Sequence, residues 1–291
     1  MKSGINSFDV KTTVKLAAIL FIFLNSSGLF GQIRYFDPKT YGLQKFDTME
    51  ERFPVPANYE RLQVEKDSFA DYLRNLPLLP GSTAVLDYRG KISVKSGDTT
   101  LAAVTAIDIA GRNLEQCMDI LLRVRAEFLW TRGLKEQINF PLPDGLTLSW
   151  KQWAKGDRPE FAGLHFFLKR SSGQDSSRGN LENYLRVIFE YSGTQTFYHF
   201  YKDIPANELQ IGDFIVKKGR KGHAVMIMDL ARNKDGNLVA LIAQGDTPAC
   251  QLYILKNQKN EAWFPIDFSQ KYLPLPIKKK MGWDGLRRFD K

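Results

Sequence analysis

Histidine and cysteine are scarce in this chain, three and two respectively among 291 residues. Neither a Cys-x-x-Cys nor a His-Glu-x-x-His spacing occurs, so the common donor sets for zinc are missing and no metal or other cofactor is expected. There is no glycine-rich phosphate loop and no internal repeat, which argues against P-loop nucleotide chemistry and repeat architectures. Membrane-length apolar runs are missing too. LAAILFIFL, from Leu16 to Leu24, has nine residues, where a bilayer span needs about 20. Lysine and arginine outnumber aspartate and glutamate, 41 to 32, for a net charge of +9. They are spread out, without an aromatic-interleaved basic stripe, so nucleic acid is not expected as a partner.

What is present begins with an export pattern. Lys2, Lys11 and Lys15 precede the short apolar run, and Ser26, Ser27 and Gly28 follow it. A charged segment, an apolar segment and small residues together read as a secretory signal. Residues 1–28 are therefore expected to be a signal peptide. The mature chain is expected in the periplasm or cell envelope, without a stable membrane span. In an exported chain the pair Cys117 and Cys250 reads first as a disulfide.

The rest divides into an N-terminal extension or strap over 29–80, a main domain over 81–275 and a C-terminal tail over 276–291. In the strap, Phe69, Leu73 and Leu76 share one helical face behind Ser68. The clearest helix follows Asn113, a good N-cap. Leu114, Cys117, Leu121, Val124 and Phe128 fall at three-four spacing through to Trp130. That places Cys117 one turn into the helix, where the dipole favours a thiolate and free backbone N–H groups can receive an oxyanion. On the same apolar face a cysteine also serves as a small buried hydrophobe. Trp150 and Trp153, with Arg158 nearby, suit either a substrate groove or the anchoring of a loop to the core. Asn180 caps a second helix running to Tyr191. His165 and His199 sit among aromatics and read as packing residues.

The organising stretch is Leu209 to Gly245. Asp235-Gly236 separates two apolar runs, Ala224 to Leu230 and Leu238 to Gln244, which is a hairpin signature. Runs apolar on both faces imply strands covered on both sides. His223 opens the first strand and Gln244 closes the second. A two-residue turn would put Gln244 opposite Ile227, about 13 Å along the strand from His223 at about 3.3 Å per residue. A six-residue loop would put it directly opposite His223. Either register keeps the two on one face, and a histidine held by an amide oxygen is half of a Cys-His-polar triad.

Cys117 on a helix, His223 at a strand start and Gln244 on the adjoining strand follow the chain order of papain-like cysteine hydrolases. From Ile211 onward, Gly212-Asp213, Gly222-His223 and Gln244 resemble the second half of bacterial cell-wall peptidases of the NlpC and CHAP type. Over nearly all the mature chain, GRNLEQCMDILLRVRAEFLW, SWKQWAKGDRP, LQIGDFIVKKGRKGHAVMIMD and LIAQGDTPA resemble a family of exported Bacteroidota proteins defined only as a domain of unknown function. The resemblance implies an envelope location and an α+β fold, with a papain-like core in which a central helix packs on an antiparallel sheet. Because 106 residues separate Cys117 from His223, that core carries an insertion at about 139–201.

The resemblance further implies a hydrolase of an amide or peptide bond, with peptidoglycan or a peptide as substrate. Cys117 is then the nucleophile, His223 the base and Gln244 the orienting residue. Gln116 and Asn113 support the oxyanion beside the Cys117 N–H, and Trp150, Trp153 and Arg158 bind substrate. Such a nucleophile needs its thiol pKa lowered from about 8.5 to well below 7. The alternative is a non-catalytic envelope binding or scaffold domain on a degenerate hydrolase fold, with Cys117 structural or disulfide-bonded to Cys250.

Overall fold

Apolar strands with no polar face must be covered on both sides, and this requirement sets the centre of the molecule. The computed structural model describes residues 35–290 other than Ala110 and Leu164. The export signal expected over 1–28 lies outside the described residues. Eight strands form the main sheet: β1 (Tyr59–Arg61), β2 (Leu101–Val104), β3 (Phe214–Lys217), β4 (His223–Asn233), β5 (Leu238–Gln244), β6 (Tyr253–Leu255), β7 (Trp263–Ile266) and β8 (Leu286–Arg287). Their order is β8-β3-β4-β5-β6-β2, with β1 pairing β4 and β7 pairing β5. All of these pairings are antiparallel.

Among the described residues five α-helices reach five residues or more: α1 (Phe69–Arg74), α2 (Asp119–Thr131), α3 (Trp150–Ala154), α4 (Arg178–Tyr191) and α5 (Thr194–Phe200). Helix α2 is buried along its whole length from Asp119 to Trp130. Its Ile120, Leu121 and Val124 share one core with Ala224, Met226 and Ala243 of the central hairpin. The other sheet face, with Ile215, Val225 and Ile227, is covered by Leu209, Leu273 and Met281. The protein is thus a mixed α and β structure with antiparallel sheets and few helices.

Several expectations are corrected. The hairpin takes neither register. Arg232 pairs with Leu238, and a bulge between Ile227 and Asp229 shifts the pairing so that Met226 faces Ala243. Continued one step, this sets Gln244 across from Val225, one diagonal position from His223, a span that long side chains bridge. The turn glycine is as expected, with Gly236 at φ +87°.

Residues 276–291 are not a tail. Leu286 and Arg287 pair with β3, and Met281 and Leu286 are fully buried. The 29–80 segment is likewise built in, through β1 on β4 and Leu73 in the core. The 139–201 segment belongs to the same helix-side core through Trp150, Tyr184 and Ile188. The second helix starts at Arg178 with Ser177 as its cap, because the Asn180 side chain instead accepts the Trp153 indole N–H at 2.9 Å. His165 and His199 are exposed rather than packed. His165 pairs with Asp144 at 2.7 Å and His199 with Gln195 at 2.8 Å.

Two buried ionic clusters tie these layers together. Asp229, fully buried on β4, binds Arg61 of β1 at 2.7 Å and Arg74 of α1 at 2.8 Å. Arg123 of α2 binds Glu115 at 2.7 Å, Glu127 at 3.1 Å and Glu182 of α4 at 2.7 Å.

Candidate active site

The loop before α2, the start of β4 and the end of β5 converge at one end of the sheet. Helix α2 begins at Asp119, with Met118 at its cap and no side-chain capping bond. Cys117 therefore precedes the helix instead of lying one turn inside it. The expected cap, Asn113, is engaged elsewhere: its carboxamide oxygen accepts the Ala249 N–H at 2.8 Å. Asp119 substitutes in part, its carboxylate accepting the Gln116 N–H at 3.2 Å.

His223 and Gln244 are both buried and joined, Nε2 to Oε1, at 2.7 Å. The glutamine oxygen can only accept, so Nε2–H donates and Nδ1 is left as the basic nitrogen. The Gln244 amide N–H in turn donates to the Tyr253 hydroxyl on β6. Tyr253 stands directly opposite Gln244 in the ladder. This anchor was missed in the sequence, where CQLYIL reads only as another strand. Its signal would have been the β5–β6 register, which no local pattern supplies.

The Cys117 sulfur lies within hydrogen-bonding reach of the backbone N–H groups of Ala224, next in chain to His223, and Met118. It lines a cleft of about 840 Å³ together with Gln116, Thr194, Lys221 and Lys279. Gly222 and Gly245 permit this closeness. A Cβ on Gly245 would stand 2.8 Å from the Ile120 side chain. One on Gly222 would stand 2.0 Å from Thr194 Oγ1 and 2.7 Å from the Lys217 carbonyl. Gly222→Ala should cost about 1–3 kcal/mol by overpacking, read from urea unfolding. Thr194→Ala in that background should recover only part of the loss, since the Lys217 carbonyl remains. Full stability in Gly222→Ala would contradict the close approach.

The electrostatics correct another expectation. Burial pushes the Cys117 thiol up to about 11, and the nearby Asp119 carboxylate adds to the effect. At the N-terminal end of the helix the Met118 and Ala224 N–H groups still act to lower it, but burial outweighs them. Asp119 is itself pushed well above the carboxylate range, by burial first and then by Glu115. For the thiol, burial is the larger cause and Asp119 the second. His223 is lowered by burial, against the Gln244 hydrogen bond, which favours its charged form. The resting pair is a neutral thiol and a neutral imidazole. Cys117 and Cys250 are both free thiols, so the structure does not contain the disulfide of the alternative reading.

The other anticipated residues separate into two groups. Gln116 and Asn113 line the cleft, and Gln116 accepts a hydrogen bond from the Thr247 hydroxyl at 3.0 Å. Trp150, Trp153 and Arg158 do not line it. Trp150 packs edge-on against Trp130, with ring centres 5.4 Å apart. Trp153 is buried against Arg158, whose guanidinium lies 3.7 Å from the ring centre and bonds the Trp153 carbonyl. These residues anchor α3, the bland use of tryptophan. Among the described residues no group of three histidine, cysteine, aspartate or glutamate side chains is placed to hold a metal ion. No helix there is long and apolar enough to cross a membrane.

No curated protein and no solved structure matches the chain. A family model covers residues 49–279. That span takes in Cys117, His223, Gln244 and most of the sheet around them, and so the chain belongs to the family described as Domain of unknown function (4846).

Proposed function

We propose that this protein is an exported cysteine hydrolase with a papain-like core that cleaves an amide or peptide bond, with cell-wall peptidoglycan as the substrate. The observation that carries the reading is the 2.7 Å His223–Gln244 hydrogen bond at the strand ends, with the Cys117 sulfur against the N–H of the residue after His223. The export pattern of residues 1–28 supports the envelope location.

The neutral resting pair sets the mechanism. Nδ1 of His223 takes the Cys117 thiol proton as the sulfur bonds to the carbonyl carbon, making this a general-base attack. The Cys117 N–H and the Gln116 amide receive the oxyanion. The C–N bond then breaks, and the imidazolium returns its proton to the departing amine. Water, deprotonated by His223, hydrolyses the thioester and restores the thiol. Gln244 holds Nε2–H throughout, which keeps Nδ1 as the basic atom.

The test is a panel of muropeptides scored by mass spectrometry for new amine and carboxyl ends. Cleavage by the wild type, abolished in Cys117→Ala and His223→Ala and reduced about 10- to 100-fold in Gln244→Ala, is the expected result. Turnover that survives in Cys117→Ala, or no turnover in any protein, would sink it. A second reading, a binding domain on a degenerate hydrolase fold, is favoured by the thiol being held up at about 11. In that case muropeptides bind but are recovered intact.

A further inference from the structure

Beside the cleft runs a second groove of about 540 Å³ that the hydrolase reading does not use. It forms where the end of β3, helix α5 and the C-terminal segment meet. Five lysines line it, Lys217, Lys218, Lys271, Lys278 and Lys280, against one carboxylate, Asp284. All five are exposed. Among the described residues no carboxylate lies within ion-pairing distance of any of them, whereas Lys45, Lys151 and Lys169 each have such a partner.

The groove is built, not a loose scatter of charge. Tyr272 pairs with Gly282 across the C-terminal segment, and the Leu273 N–H bonds the Met281 carbonyl at 2.9 Å. Gly282 is needed there, since a Cβ would meet Asp284 Oδ1 at 2.3 Å and the Tyr272 ring at 3.3 Å. The ring positions cations: the ammonium groups of Lys271 and Lys280 each stand 5.5 Å from its centre. The Tyr198 ring does the same for Lys218 at 4.3 Å and Arg287 at 4.2 Å. Attraction between the ring faces and the cations holds like charges together. Lys279, between two groove lysines, turns to the cleft instead, where its Nζ donates to the Lys221 and Gly222 carbonyls at 3.1 Å.

We infer that this groove binds a compact ligand bearing several phosphate groups. Clustered cations without protein counterions call for an anion of matching charge density. The tyrosine faces are occupied by ammonium groups, so they do not offer a platform for sugars or bases. Lysine presents point donors that suit the tetrahedral oxygens of phosphate, whereas planar carboxylate is better matched by the arginine fork. The inference stands apart from the hydrolase reading: binding requires neither Cys117 nor His223.

Inorganic tripolyphosphate titrated calorimetrically into the purified protein is the direct probe. Saturable one-to-one binding is expected, weakened at least tenfold in Lys271→Gln/Lys280→Gln, falling as salt is raised, and unchanged in the distant control Lys151→Gln/Lys169→Gln. Cys117→Ala should bind like the wild type, which separates this outcome from any failure of the hydrolase. The groove lysines are exposed, and an unchanged melting temperature in the double variant verifies its fold. Three results each overturn the inference: no saturable binding, equal weakening in the control variant, or polyglutamate binding as tightly as tripolyphosphate. Binding to phosphatidylglycerol vesicles with none to tripolyphosphate also defeats it, since the partner is then a lipid surface.

Discussion

Arg123→Met is expected to cost about 3–5 kcal/mol of folding stability at pH 7, the range found when one partner of a buried ion cluster is removed. Arg123 is 1% exposed and bonds Glu115, Glu127 and Glu182. Methionine fills a similar volume without strain. The loss therefore comes from leaving carboxylates out of water without their cation. Arg178 also bonds Glu127 and Glu182, so those two keep a partner, while Glu115, 2% exposed, loses its bidentate guanidinium.

The pH dependence follows from the sign of the perturbation. Without the Arg123 guanidinium, burial of the Glu115 carboxylate favours its protonated form in the folded variant. The folded variant then binds protons that the unfolded chain has released, and its deficit against the wild type grows as pH rises. Below about pH 4 both states are protonated and the deficit shrinks. Urea unfolding of the two proteins at pH 4 and pH 7 checks this. A difference under about 1 kcal/mol at pH 7 would mean that the cluster is solvated and that burial of α2 alone organises the core.

The second large effect concerns the thiols. With Cys117 pushed up to about 11, its thiolate fraction at pH 7 is about one in 10⁴, against a few per cent for an ordinary thiol. Iodoacetamide should label it about 300-fold more slowly than a free cysteine at pH 7, with a tenfold gain per pH unit up to about 11. His223→Ala should leave this profile nearly unchanged, because a neutral imidazole does not stabilise a thiolate. Rapid labelling at pH 6, slowed in His223→Ala, would instead reveal a resting thiolate–imidazolium pair. Attack by general base would then be wrong, though the nucleophile would stand.

The same burial makes the fold alkali-sensitive. Cys250 is pushed up to about 12, again chiefly by burial. Above the unfolded thiol pKa of about 8.5 the unfolded chain releases protons that the folded chain keeps, so stability falls as pH rises toward the folded values. Each cysteine should contribute a loss on the order of 1–2 kcal/mol between pH 8 and pH 10. Cys250→Ala should flatten that slope by its share.

Much of this was legible from the residues alone. Apolar runs around Asp235-Gly236 specify a hairpin buried on both faces, because strands without a polar face have no other place in water. The same run puts His223 at a strand end and Gln244 on its neighbour, whichever register forms. The three-four spacing of Leu121, Val124 and Phe128 makes a buried helix.

Other features needed the folded chain. Asn113 reads as a helix cap, but Ala249 takes its side chain. The helix then starts at Asp119, and the thiol sits before its N-terminus, where burial outweighs the nearby N–H groups. A cap is decided by which hydrogen-bond partner comes closest, and a partner 136 residues away is invisible to local pattern. The bulge near Met228 sets the diagonal between His223 and Gln244, and Tyr253 anchors the pair only through the β5–β6 ladder. The tryptophans look like groove residues until α4 is packed over them. The lysines of the second groove are scattered in sequence, and only the closure of the C-terminal segment onto β3 concentrates their charge. Periodicity dictates which side chains are buried. Where two distant segments meet, and so what a buried thiol or an exposed lysine can do, depends on contacts made only when the whole sheet has formed.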